Sequence, residues 1–136
     1  MEKAMDFSEV IDASIESVWE VLHKPAHIVT EGFSKLRIED DLHWVQREGE
    51  VDTNCTATLH EDTYTVHVVT QNTKYDSEKT DITLRLEEVD GKCKVNVHYV
   101  VDTTALLNML VFKTMGEKLE HHASNVIIKN IKKAVR

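Results

Sequence analysis

Residues 102–136 contain no proline and read as one helix, longer than an ordinary globular one. At about 1.5 Å rise per residue it would reach roughly 45 Å, enough to lie along the whole face of a single small sheet. Its inner face is predicted to run through Ala105, Met109, Phe112, Gly116, Leu119, Ala123, Val126, Ile127 and Ile131. An N-cap is expected among Asp102, Thr103 and Thr104. Two positions of the inner face are small. Gly116 forfeits about 1 kcal/mol of helix propensity relative to alanine, so in mid-helix it signals a packing or bending requirement. Together with Ala123 it would leave room beneath the helix.

The preceding sequence supplies something to cover. Cys55, Ala57 and Leu59 alternate with polar residues, as do Tyr64, Val66 and Val68. Ile82, Leu84 and Leu86 oppose Asp81, Thr83, Arg85 and Glu87, and an Asp90-Gly91 turn leads into Cys93, Val95, Val97, Tyr99 and Val101. Such one-sided strands form an antiparallel sheet with one wet face and one covered face. Nearer the start, residues 7–13 read as a strand with Phe7, Ile11 and Ala13 on one side. Ser14 then caps a helix whose apolar stripe is Ile15, Val18, Trp19 and Leu22. Pro25 breaks it, and residues 26–33 read as a second short helical piece closed by Gly32. Residues 36–48, with Leu36, Ile38, Trp44 and Val45 among many charges, show no clear period.

The 136 residues fit one domain, read as 1–136, and no stretch has the apolar length of a transmembrane helix. The N-terminal residues lack the basic start and apolar core of a secretion signal, so a cytoplasmic protein is expected. Cys55 and Cys93 form no CxxC and sit in strand alternation, which reads as two buried reduced thiols. A net charge of −8 repels phosphate backbones, so nucleic acid is not an expected partner. Lys129, Lys132, Lys133 and Arg136 stand against that charge, but cations on the last turns of a helix complement its dipole.

The stretch Phe7-Ser8-Glu9-Val10-Ile11-Asp12-Ala13-Ser14-Ile15-Glu16-Ser17-Val18-Trp19-Glu20-Val21-Leu22 resembles the start of START and Bet v 1-like (SRPBCC) proteins. There a strand ends in a small residue and leads into a helix with a Val-Trp or similar pair facing the core. The whole order of elements resembles the same superfamily. The resemblance implies an α+β helix-grip fold, a curved antiparallel sheet wrapped around a long C-terminal helix. Residues 75–82 and the strands after them also resemble an uncharacterised group from Gram-positive bacteria in that superfamily. Its members typically bind lipids, sterols, polyketides or other apolar molecules between sheet and helix, and some catalyse cyclisation. The glycine-rich loop of the plant Bet v 1 proteins is absent, since Gly32, Gly49, Gly91 and Gly116 are isolated.

The expected ligand-binding residues are Val66, Val68, Leu84, Val97 and Tyr99 from the strands with Phe112, Gly116, Leu119 and Ala123 from the helix. A filled core would use the same residues. Tyr64 or Tyr99 is the expected source of a hydroxyl. Glu9 shares strand parity with Phe7 and Ile11, so a regular strand would aim its carboxylate inward as an acid or base, but a bulge or an end-of-strand position is the favoured reading. Glu117 and His121 have metal-ligand spacing on one helix face, with His122 beside them, but no third ligand joins them and solvent exposure is expected. No GxSxG, HExxH, P-loop or GxGxxG occurs, so no cofactor or metal is expected.

Leu106, Leu107, Met109, Leu110, Val111 and Phe112 are apolar nearly all round the first helical turns, more than one covered stripe requires. The expected cover is the chain's own N-terminal broken helix. A homodimer through Leu106, Leu107, Leu110 and Val111 is the alternative. The function these observations favour is binding of a small hydrophobic or amphipathic molecule, lipid-like or polyketide-like, between sheet and helix, with no catalysis assumed. A cyclase- or hydrolase-type enzyme using an inward carboxylate and an interaction or dimerisation module are the alternatives.

Overall fold

The one-sided strands assemble into a seven-stranded antiparallel sheet in the order β1-β7-β6-β5-β4-β3-β2. The computed structural model describes residues 1–32 and 34–135. Strand β1 (Glu2–Ile11) is followed by helices α1 (Ile15–Val21) and α2 (Ala26–Val29). Six strands come next: β2 (Lys35–Asp40), β3 (His43–Glu48), β4 (Val51–His60), β5 (Thr65–Asn72), β6 (Lys79–Val89) and β7 (Lys92–Asp102). Helix α3 (Leu106–Ala134) closes the chain. Phe33, the last residue expected in the second helical piece, lies outside the described residues, as does Arg136 of the terminal basic group. Among the described residues no helix is long and apolar enough to cross a membrane.

Local chemistry explains most of these boundaries. Ser14 accepts a hydrogen bond from the Ser17 N–H at 3.2 Å and starts α1, which buries Val18 and Trp19. Asp90 and Gly91 both adopt positive φ, 53° and 79°, and form the tight hairpin joining β6 to β7. The segment without a clear period is the β2–β3 hairpin. The Asp40 carboxylate accepts from the Leu42 N–H at 2.8 Å and turns the chain, and Trp44 is then buried in the core. The period is masked because β2 is an edge strand with exposed charges on both faces. Inward residues Val66, Val68, Ile82, Leu84, Val95 and Val97 meet Ile11, Leu22, Ile28, Ile127 and Ile131 from the first strand and the helices. Both cysteines are buried and free.

The long helix departs from expectation in three ways. First, Met115 has φ −133° and ψ 26°, so α3 is two helical runs joined at a kink beside Gly116. Second, its N-cap is Ala105, which offers no side-chain acceptor. The Glu78 carboxylate from the β5–β6 connection takes over instead, accepting from the Thr104 and Ala105 N–H groups at 3.0 and 3.3 Å. Third, the broken helix does not cover the first turns: Leu106, Leu107 and Leu110 are 81%, 72% and 57% exposed. Burial is concentrated in the second run, at Ile127, Ile128 and Ile131. There the Asn130 carboxamide donates to the carbonyls of Ile28 at 2.8 Å and Thr30 at 3.4 Å, tying α3 to the end of α2.

Candidate functional site

A hollow of about 370 Å³ lies between the inner sheet face and α3. Met5, Tyr99 and Val101 line it from the sheet, Val29 and Glu31 from the end of α2, and Phe112, Leu119, Ala123 and Val126 from the helix. A second hollow of about 180 Å³ adjoins it and shares Val29, Glu48, Thr80, Tyr99 and Val101 as walls. Its remaining wall is largely polar, with Gln46, Thr53, Thr70, Asn72 and Glu78. The first is mainly apolar and the second mainly hydrophilic, so one elongated space has two chemically distinct ends.

The polar end is held in place by hydrogen bonds across strands. Gln46 shares the inward parity of Trp44, and its carboxamide oxygen accepts from the Thr30 hydroxyl, the Trp44 indole N–H and the Cys55 thiol at 3.2, 3.1 and 3.4 Å. Thr70 and Thr80, paired in register on β5 and β6, join their hydroxyls. Glu48, two residues beyond Gln46 on the same face, accepts from the Ser34 hydroxyl at 3.2 Å. At the helix side, the His122 imidazole Nε2 lies 3.1 Å from a Glu31 carboxylate oxygen.

Tyr99 stands in the wall common to both hollows. Burial, reinforced by the charges of Glu31 and Glu48, pushes its phenol up to about 12. It is therefore a neutral hydroxyl at physiological pH, fit to give or take a hydrogen bond and unfit as a base. For Glu78, burial pushes the carboxyl up. The Thr103 hydroxyl, the Thr104 and Ala105 N–H groups and the N-terminal ammonium outweigh this and hold it below the ordinary glutamate range.

Of the residues expected to bind ligand, Tyr99, Phe112, Leu119 and Ala123 line the larger hollow. Val66, Val68, Leu84 and Val97 have the inward parity expected of them but lie in the closed core. Gly116 does not open a gap. A Cβ there would come within 3.1 Å of the Lys3 ammonium and 3.3 Å of its Cε, because the Lys3 side chain runs beneath the kink. Tyr64, in the left-handed conformation, packs against the core, meets Trp19 edge to face at 5.6 Å and lines neither hollow.

Glu9 is exposed, and its carboxylate pairs with the Lys132 ammonium at 2.9 Å. That arrangement removes the basis for a buried acid at this position. Glu117 and His121 are exposed, and His67 and His98 pair with Asp81 and Asp6 on the outer sheet face. Sequence reasoning missed Glu31, Gln46, Glu48 and Thr80; His122 was expected to be exposed, and it is, although it also edges the hollow. Strand parity with Trp44 would have found Gln46 and Glu48 had the β2–β3 hairpin been legible. Glu31 and His122 are 91 positions apart and meet only through the docking of α3.

No protein-family model matches the chain, and no curated protein matches it. Solved structures do match. Norcoclaurine synthase from Thalictrum flavum, in complex with dopamine and hydroxybenzaldehyde, is 14% identical with a TM-score of 0.69, over 99% of this chain and 87% of that one. TTHA0849 from Thermus thermophilus is 11% identical with a TM-score of 0.66, over 98% and 97% of the two chains. The structure of Ara h 8.0201 is 16% identical with a TM-score of 0.62, over 99% and 98%. At these identities the likeness is one of fold. The chain has the Bet v 1-like helix-grip fold, a curved antiparallel sheet closed by a long C-terminal helix, as its order of elements led us to expect.

Proposed function

We propose that this protein binds a small hydrophobic or amphipathic molecule in the space between its sheet and α3. The observation that carries the reading is the hollow of about 370 Å³ with an apolar helix wall and a polar adjoining end. Ligand sites have this size and this mixture of apolar lining with a few placed polar groups. The expected site residues are revised accordingly: Tyr99, Phe112, Leu119 and Ala123 stay, joined by Met5, Val29, Val126, Glu48 and Thr80. The same reading carries the expectation of a cytoplasmic protein, supported by two buried free thiols.

Native mass spectrometry of the purified protein and a thermal-shift panel of lipids and aromatic metabolites test the proposal. A ligand at about a hundred times its Kd adds roughly 2.7 kcal/mol to stability, a shift of several degrees. Ala123→Phe, which projects bulk into the hollow, is expected to abolish that shift while leaving the circular dichroism spectrum intact. A panel without a single shift, or shifts indifferent to Ala123→Phe, overturns the proposal.

A second reading is favoured by the Glu31–His122 pair, an acid and a base within hydrogen-bond reach at the wall of the hollow beside a neutral tyrosine. It makes the protein a cyclase- or hydrolase-type enzyme. Product formation from panel compounds, followed by mass spectrometry and lost in His122→Gln and Glu31→Gln, would support it; binding with no conversion would dismiss it. The bare surface of Leu106, Leu107 and Leu110 favours a homodimer through the start of α3. Sedimentation of the parent and of Leu107→Asp tests it, and a monomer at every concentration refutes it.

A further inference from the structure

The two ends of the space differ in charge as well as polarity. Along α3 the wall is mostly apolar, with Phe112, Leu119, Ala123, Val126 and Ile127 beside Asn108 and His122, and Met5 and Val101 line it from the sheet. Toward the smaller hollow stand carboxylates. Glu78 is committed to the start of α3, and Glu31 is shared with His122. Glu48 is the exception. It belongs to the wall common to both hollows, where it is exposed; its partner is the neutral Ser34 hydroxyl, and it forms no ion pair among the described residues.

The cations nearby do not answer it: the N-terminal ammonium donates to the Thr103 carbonyl at 2.7 Å and lies 3.7 Å from the Asp102 carboxylate at the edge of the smaller hollow. Lys79 edges the smaller hollow but has the outward parity of β6, opposite to Thr80 and Ile82. Lys3 has the inward parity of Met5, yet its ammonium lies under Gly116 and outside both walls. Tyr99 makes no hydrogen bond to a described residue, and burial, then the charges of Glu31 and Glu48, push its phenol up to about 12, so its hydroxyl is neutral and free to bond a ligand. A second anion placed there meets like charge, and a neutral apolar molecule displaces part of the water on Glu48 with nothing in return. An ammonium replaces that water with charge-assisted hydrogen bonds.

We infer that the molecule this space selects is an amphipathic cation, an apolar body carrying a protonated amine, with the ammonium at Glu48 and the Tyr99 hydroxyl and the body against Phe112 and Leu119. This rests on the ligand-binding reading above. The test uses naphthylethylamine, naphthylethanol and naphthylpropanoate, which share one apolar body and differ in charge. Titration calorimetry at neutral pH is expected to rank amine above alcohol by roughly tenfold and alcohol above acid. Glu48→Gln brings the amine to the level of the alcohol and leaves the alcohol unchanged, and about 0.5 M sodium chloride narrows the gap in the parent.

Equal affinity for amine and alcohol, or an amine preference that survives Glu48→Gln, overturns the inference. In that event alcohol binding that is lost in Ala123→Phe still upholds the hollow as a ligand site. Failure of all three compounds to bind overturns both.

Discussion

Replacing Glu78 by alanine tests how the start of α3 is held and whether the hollow depends on it. The helix begins at Ala105 without a side-chain cap, and Glu78 is the acceptor for the Thr104 N–H at 3.0 Å. The Ala105 N–H is shared, reaching Glu78 at 3.3 Å and the Thr103 hydroxyl oxygen at 3.2 Å. The substitution thus removes one acceptor outright and part of another. Loss of a side-chain cap costs about 1 kcal/mol, and loss of a negative charge at a helix N-terminus adds roughly 0.3–1 kcal/mol. Thr104 and Ala105 are exposed, so water replaces part of the loss and the net expectation is about 1 kcal/mol. In a chain of this size that lowers Tm by roughly 3–4 °C, with an unchanged urea m-value.

Glu78→Gln keeps an acceptor and loses the charge, so it should fall between parent and alanine variant. Because the folded carboxyl lies below its ordinary value, the ionised form is the one folding favours. Its contribution is whole at neutral pH and drains away as the pH falls through the ordinary glutamate range toward the folded value. The stability difference between parent and Glu78→Gln should therefore shrink on acidification. Hydrogen exchange adds a local readout, since amides of the first turns of α3 should exchange faster in Glu78→Ala while those near Ile128 do not. Unchanged stability and unchanged exchange in Glu78→Ala would refute the reasoning.

Gly116→Ala should stabilise the protein by up to about 1 kcal/mol, because the flexible end of Lys3 can yield to the new Cβ while helix propensity improves; a lower Tm would mean that the Lys3 position or the kink is required. Asn130→Ala, which strips donors from the Ile28 and Thr30 carbonyls, should cost about 1–2 kcal/mol in urea unfolding. An effect below the error of the fit would show that the tie between α2 and α3 is ornamental. Burial pushes the thiols of Cys55 and Cys93 up to about 12 and about 11, so labelling with a disulfide reagent near pH 8 should be slow in the folded protein and rapid in denaturant; fast labelling of the folded chain would contradict their burial.

On the proposed reading, the element that closes the sheet also walls the ligand site. The second run of α3 is anchored by Ile127, Ile128, Ile131 and Asn130, so it is a fixed part of the structure. Its first run touches the hollow through Asn108 and Phe112 while presenting Leu106, Leu107 and Leu110 to solvent. The kink at Met115 separates the two.

Periodicity made the central strands, the Asp90-Gly91 hairpin, the Ser14 cap and the extent of the final helix legible, though not β2, β3 or the kink at Met115, because each of the former depends on residues close in sequence. The apolar parity of Val66, Val68, Leu84 and Val97 was legible too, and it correctly placed them inside. Which inward residues meet open space depends on how far the helix stands from each strand, a distance no local pattern records. Tertiary structure alone brought Lys3 under Gly116, Lys132 to Glu9, and Glu78 to the start of α3, all through side chains distant in the chain. It also set Glu31 against His122 and brought Glu48 and Tyr99 into one wall. The sequence by itself determined a sheet and the helix that covers it; the docking of that helix decided where a cavity remains and which charges face it, because both follow from long-range geometry rather than local preference.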